Sequence, residues 1–498
     1  MSDASIRGSA SASSTSATSA SLDPLLRRGP FLAVLLQGLP LAIGLASHAV
    51  INLVDLAMIG RLGDEAVQSA HVATTWNFLP MLLGQCVSTA LLAQLSRDLG
   101  ADGGNGVHRD VGLAGVGTAR ARERNRRAQW WMLWLSLAVG GATSLPAALQ
   151  VDITGVRGVV RSDAIHYLVV TNLGCIPMFL LMQSTAAMRA VGEAWVPLAL
   201  LLGTNVVNLG LDYVLLFGLE SPALSIPSVG VVGAAYASVA ARVLGCVFAF
   251  AWLARRPHPL SLRAQPDAAS VVAQDAAGNP AALQAVGASL LRDAWPQAVQ
   301  IGLRAALVVA LTVLVQQRFG DDATVSLGIT TRLDTLVLFS SLGFANAATA
   351  YAGRAAVAKR VAAARWAGGF AALQAMLFGA LLVWLYQSKG DAVVGWFLPQ
   401  PSAEVLQLTT LYFGVAAWSQ VVGAGGLAAM GAVYGGGWMR APMLVDVGCF
   451  AAAGLLLWRA VDGSLRDTYV ALCQGMALVL LGQLVLVAVG SWARRPAV

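Results

Sequence analysis

Long apolar blocks alternate with short polar breaks along almost the whole chain. They lie near 31–57, 66–92, 129–149, 163–187, 195–217, 229–253, 294–317, 323–350, 366–387, 404–430, 439–458 and 468–491. A helix needs roughly 20 apolar residues to cross a bilayer, because backbone groups there find no partners but one another. The pattern therefore predicts an all-α polytopic membrane protein with about 12 transmembrane helices. Composition agrees with it: 57% of the 498 residues are hydrophobic and 11% are charged, against about 25% charged in a soluble domain.

The blocks also repeat. Arg61-Leu62-Gly63-Asp64-Glu65 matches Arg318-Phe319-Gly320-Asp321-Asp322 at an offset of 257, and Arg97 matches Arg354 at the same offset. Pro40 falls within one position of Pro296. Internal repeats of this length are how many secondary transporters build two halves around a midplane site. We expect two pseudo-symmetric six-helix lobes, an N-lobe over 24–253 and a C-lobe over 291–493. A cytoplasmic linker over 254–290, with Pro257, Pro259, Pro266 and Pro280, would join them. Residues 1–23 are rich in Ser, Ala and Thr and lack the apolar core of a signal peptide, so they read as a disordered cytoplasmic tail. The segment 100–128, glycine-rich and then arginine-rich, reads as a long inner loop that anchors on anionic lipid.

A net charge of +7 would suggest nucleic acid in a soluble chain, but here it follows topology and implies no such partner. With the N-terminus inside, Arg27, Arg28, Arg97, Arg120 to Arg127, Arg255, Arg354, Arg360 and Arg494 all fall on one side, which the positive-inside rule makes cytoplasmic. Both termini are then cytoplasmic, and the protein is expected in the inner (plasma) membrane. Trp130, Trp131, Trp195, Trp252, Trp295, Trp366, Trp438 and Trp492 fall at predicted inner helix ends, where an aromatic belt belongs.

Catalytic chemistry finds little to stand on. Cys86, Cys175, Cys246, Cys449 and Cys473 lie inside apolar runs with no metal-ligand spacing, and the five histidines lack partners at zinc spacing. No nucleophile elbow or Walker motif occurs. We expect no enzyme, no metal and no cofactor beyond a coupling ion.

The polar residues inside the apolar blocks carry the functional signal, since each ionisable one costs about 2.5–3.5 kcal/mol on insertion scales. In the first block His48, Asn52 and Asp55 recur at i, i+4 and i+7, one helix face. Pro40 stands about four turns before Asp55, where it frees a carbonyl and permits a helix bend. In the fifth, Asn205, Asn208 and Asp212 recur at i, i+3 and i+7. If the two faces meet, the N-lobe holds a polar chamber with two carboxylates. A carboxyl exchanging protons near neutral pH needs surroundings that favour its neutral form, which burial and a second carboxylate supply. Two carboxylates and amide oxygens also suit sodium, at Asp55, Asn208 and Asp212.

At this point the chain resembles a family. Pro40, Asn52-Leu53-Val54-Asp55 and Met58-Ile59-Gly60-Arg61-Leu62-Gly63 look like the first helix and outer loop of multidrug and toxic compound extrusion (MATE) transporters. Met188-Arg189-Ala190-Val191-Gly192, Pro197, Asn208 and Leu211-Asp212 resemble its inner loop and fifth helix, and Val229 to Ser238 the start of its sixth. Acids concentrated in the first lobe are similar to the DinF-like branch. The resemblance implies a proton or cation site at Asp55, Asn208 and Asp212, with Ser238 in place of a Thr. It implies an antiporter, a monomer in membrane lipid, that exports cationic or amphipathic drugs by alternating access. A lipid-linked saccharide flippase of the same superfamily is the alternative, kept open by Arg242, Arg304 and Arg332. In the C-lobe, Arg304 and Asp334 are expected to form a midplane ion pair.

Overall fold

A computed structural model describes residues 23–102, 116–221, 224–255, 258–263, 285–397, 401–460 and 462–494. After the short α1 (Pro24–Arg27) come α2 (Pro30–Gly60), α3 (Asp64–Ala101), α4 (Val116–Ser144) and α5 (Ala147–Ile153). Then follow α6 (Gly158–Leu173), α7 (Cys175–Ala190), α8 (Trp195–Phe217), a hairpin of β1 (Leu219–Ser221) and β2 (Leu224–Ile226), and α9 (Val231–Leu253). The second half holds α10 (Val286–Val357), α11 (Val361–Ser388), α12 (Gly390–Phe397), α13 (Ala403–Gly414), α14 (Ala417–Gly435), α15 (Arg440–Ala460), α16 (Leu465–Val489) and α17 (Ser491–Arg494).

Among the described residues ten helical segments are long and apolar enough to cross a membrane, and α4 with α5, bent by 50°, make an eleventh. The 72 residues of α10 would span about 108 Å as one helix, far more than a bilayer. Its backbone leaves the helix at Gly320 (φ 83°, ψ −167°), so α10 is two antiparallel arms, 286–319 and 321–357. Twelve crossings result, six in each lobe. Gly63, which separates α2 from α3, has φ 107° and ψ 174°. The residues at the two ends of the 257 offset thus make the same turn, in a region open to glycine and costly for residues with a Cβ.

Small residues let the helices close up, as expected where no hydrophobic force drives association in lipid. A Cβ on Gly343 would lie 2.3 Å from the Ala42 nitrogen, and one on Gly431 2.2 Å from the Ala345 carbonyl. The second arm of α10, lined by Ala347, Ala348, Ala352 and Ala355, packs against α2 and α14 in one core.

Three expectations change. The arginine-rich stretch is no loop: residues 103–115 lie outside the described set, and from Val116 the chain is helical. Arg124 donates to Asp98 at 2.6 Å and Arg122 to the Pro259 carbonyl at 3.1 Å, so these side chains tie α4 to neighbouring segments. Trp492 leaves the aromatic belt and is fully buried against Gly436, whereas Trp130, Trp195 and Trp366 are exposed. Most of the expected linker and tail (264–284 and 1–22) lies outside the described residues; Asp23, assigned to the tail, caps α1 through the Leu25 N–H at 2.8 Å.

Candidate functional site

The stripes on α2 and α8 face one another, because these helices pack side by side in the N-lobe. His48 Nδ1 lies 3.3 Å from Asn205 Oδ1, and Asn208 Nδ2 donates to Asp212 Oδ2 at 2.6 Å. The Asp55 and Asp212 carboxyls lie close enough to interact directly. No donor among the described residues reaches Asp55 Oδ1 or Asp212 Oδ1. Two carboxyls in such contact need a proton shared between them or a cation, since two bare charges repel. Asp212 is fully buried, Asp55 half-buried and Asn52 exposed.

Beside the acids lies a cavity of about 140 Å³. His48, Asn52, Asn205, Asn208 and Ser238 line it, together with Leu41, Leu45, Met81, Met178, Leu181 and Met182. Asp55 and Asp212 stand just beyond it, further along the same helix faces. Its walls are mostly flexible and apolar, with a few amides, which suits ligands of varied shape. Pro40 lies below the cavity. The helix α2 runs through it unbroken, but Pro40 has no N–H for the Leu36 carbonyl.

Two site neighbours were not assigned to the site from sequence. Arg242 on α9 lines the cavity and acts electrostatically on Asp55 and His48, and its Nη1 has no acceptor among the described residues. Its signal was present, a cation inside an apolar block, but it was set down to a basic flippase cavity. Tyr167 on α6, buried beside both acids, had no sequence signal, because only packing brings α6 there.

In the C-lobe the expected Arg304–Asp334 ion pair does not form among the described residues. Asp334 accepts a hydrogen bond from the Tyr412 hydroxyl. Arg304 instead lies over the Phe450 ring, 5.7 Å from its centroid, and within electrostatic reach of Asp446. The spacing of 304 and 334 placed them at similar depth on the two arms of α10, but the arms turn those faces apart. Asp446 is saturated: Gln483 Nε2 donates to Oδ1 at 2.6 Å and Gln300 Nε2 to Oδ2 at 2.8 Å. Arg332 is exposed, so the three intramembrane arginines are spread over both lobes.

The lobes are pinned together on the side where the described termini lie. Arg354 on the second arm of α10 donates to both oxygens of Asp23, at 2.7 and 2.6 Å, and to the Ala190 carbonyl at the end of α7. Arg97 on α3 reaches the other way, to the Tyr434 and Gly435 carbonyls ending α14, at 3.5 and 3.3 Å. Asp293, on the first arm of α10, lies 3.9 Å from Arg97. The two arginines at the ends of the repeat offset therefore cross the lobe boundary in opposite directions.

No family model matches the chain. Its fold is that of solved transporters. A MATE structure in complex with MaL6 superposes with a TM-score of 0.80 at 17% identity, over 93% of this chain and 97% of that one. A MOP-superfamily transporter from Pyrococcus furiosus, described by the reverse polarity of its binding pocket, gives 0.78 at 18% identity, over 93% and 96%. Among curated proteins, a probable multidrug resistance protein NorM of Deinococcus radiodurans is 26% identical over 450 residues, 89% of this chain and 88% of that protein. The chain is similar to MATE transporters in fold and to NorM proteins in sequence. Other NorM proteins align over less: that of Agrobacterium fabrum is 23% identical over 329 residues and that of Rhizobium meliloti 25% over 231. Those alignments cover 65% and 46% of this chain, and the chain spans 63% and 45% of the two relatives. Its long apolar helices are those of a multi-pass membrane protein, and the proteins it resembles are transporters.

Proposed function

We propose that this chain is an antiporter that exports cationic or amphipathic organic compounds in exchange for protons, with sodium as the competing coupling ion. The observation that carries the reading is the contact between Asp55 and Asp212, each with an oxygen that no described donor reaches, beside an apolar cavity. Keeping two carboxyls together inside a lobe is costly, and the cost falls when a proton or cation joins them. Asn208 holds one oxygen of Asp212, which leaves the other to the exchanging ion. Arg242 supplies a fixed positive charge nearby. When the pair takes up a proton the chamber grows more positive, and an organic cation is driven out. Each unit of pH difference contributes about 1.4 kcal/mol per proton.

The arginine clamps support alternating access. They close the side bearing the described termini, which the charge bias assigns to the cytoplasm, while Asn52, in the cavity wall, stays exposed. In this reading the closed cytoplasmic side marks the outward-open end of the cycle, in the inner membrane. In the other state Pro40 would bend α2, using the carbonyl it leaves free. The location of the available acids in the first lobe favours the DinF-like branch, although the curated relatives carry the NorM name.

The test is efflux of a fluorescent organic cation from proteoliposomes driven by an imposed pH gradient, and separately by a sodium gradient. Transport with the pH gradient alone supports proton exchange. Transport only with sodium keeps the site and replaces the ion, and transport with neither sinks the reading.

A further inference from the structure

On the outer surface of the N-lobe, α8 and α9 part to form an apolar groove of about 580 Å³. Trp195, Gly203, Phe248, Trp252 and Arg255 mark its course, and Trp195 and Phe248 are among the most exposed apolar side chains of the protein. The groove begins at the ends of α8 and α9 that lie on the arginine-rich side, and it runs inward as far as Val207 and Ala241. Along α8, 195–207 rises about 18 Å, close to the roughly 15 Å of one leaflet of hydrocarbon. The groove is therefore one leaflet deep, with its single charge at headgroup level.

That charge is positioned. The Arg255 guanidinium stacks on the Trp252 ring, 4.0 Å from its centroid, and no carboxylate among the described residues pairs with it. The nearby acid, Glu193, is already engaged by the Trp252 N–H at 3.1 Å and faces His258 at 3.6 Å. At its deep end the groove shares Thr204 and Ala241 with the N-lobe cavity, so one layer of side chains separates the two. There the helices are in close contact, since a Cβ on Gly245 would lie 2.3 Å from Thr204 Cγ2.

We propose that this groove is a binding site for an anionic glycerophospholipid, its headgroup phosphate on Arg255 and one acyl chain lying along α8 and α9 to the cavity wall. Depth and charge choose the occupant. A chain-length apolar slot ending in a stacked, unpaired guanidinium at the membrane surface fits a negatively charged lipid. An organic cation would meet repulsion at the mouth.

The purified protein in detergent is titrated with phosphatidylglycerol and, separately, with phosphatidylcholine of the same chains, followed by native mass spectrometry and thermal unfolding. Wild type should hold phosphatidylglycerol more tightly. Arg255→Ala should remove that preference by about five-fold, the worth of one basic side chain at a charged membrane surface, and Arg255→Lys should restore most of it. A Cβ at Gly203 meets nothing within 4 Å, so Gly203→Leu should fill the groove without parting the helices and should weaken both lipids. Arg494→Ala, an exposed cation on the same side, should change nothing. Equal loss in Arg494→Ala, or undiminished lipid adducts in Gly203→Leu, would overturn the site. If Gly203→Leu instead loses only stabilisation by an organic cation, the groove belongs to substrate and the lipid assignment is wrong. None of these readouts depends on transport.

Discussion

Asp55 and Asp212 in the N-lobe and Asp334 and Asp446 in the C-lobe sit among membrane helices, and the two pairs are used differently. In the C-lobe both oxygens of Asp446 accept from glutamines, and Asp334 accepts from Tyr412. In the N-lobe Asp55 and Asp212 interact with one another, and each keeps an oxygen that no described donor reaches. The cost of placing a carboxyl in a membrane is similar in both lobes. One lobe offsets it with fixed amides and hydroxyls, which stiffen the bundle. The other leaves it open, which is what the proposed exchange of an ion requires. A polar residue inside an apolar helix therefore marks function less by its presence than by what its neighbours leave undone.

The sharpest way to break this comparison is Asp55→Asn, for which we expect efflux to fall to background while folding holds. Asn keeps the shape but neither takes nor releases a proton, and removing the charge relieves about 3 kcal/mol of insertion cost. Efflux in proteoliposomes and the unfolding midpoint, measured on one preparation, check both halves; full pH-driven transport would end the assignment. Asp212→Asn should be impaired in the same way.

Asp446→Ala should show the opposite profile. It strands Gln300, Gln483 and the charge of Arg304, so stability should fall by about 3–5 kcal/mol. The protein that survives should respond to pH as wild type does. A stable Asp446→Ala that has lost its pH response would place coupling in both lobes.

Arg354→Ala should cost less, about 2 kcal/mol for charge-assisted bonds lost across the lobe boundary. The loss should appear as a shift toward the state open on the arginine-rich side, read from spin-label distances between the ends of α7 and α10. An unchanged distance distribution would make the clamp incidental. The smallest effect belongs to Asp334→Asn. With Arg304 as partner it would have stranded a charge, but Asn can still accept from Tyr412. We expect about 1 kcal/mol or less in thermal unfolding, and a large drop in expression would contradict that partner.

How much of this was legible in the sequence depends on the range of the signal. Helix count, the two lobes and the stripes of α2 and α8 follow from spacing along one helix, which periodicity reports directly. The offset even located Gly63 and Gly320, where the two hairpins turn. What spacing does not report is which faces meet between helices. Asp334 and Arg304 sit at matching depth and still find different partners, and Tyr167 reaches the acids only because α6 packs there. The arginines of 120–127 were mistaken for a loop because their charge hides a helix that extends beyond the bilayer, held by pairs such as Arg124–Asp98.

Asp23 gives the chain's beginning a mechanical meaning. It precedes every crossing, and it is one of the groups by which Arg354 fastens the two lobes. A chain shortened to start at Pro24 would keep every membrane helix and lose part of its latch. If the proposed antiport holds, trimming this end alters its cycle, and turnover of such a shortened chain should be compared with one that retains Asp23. A residue that touches neither acid is a handle on how firmly the two lobes stay closed.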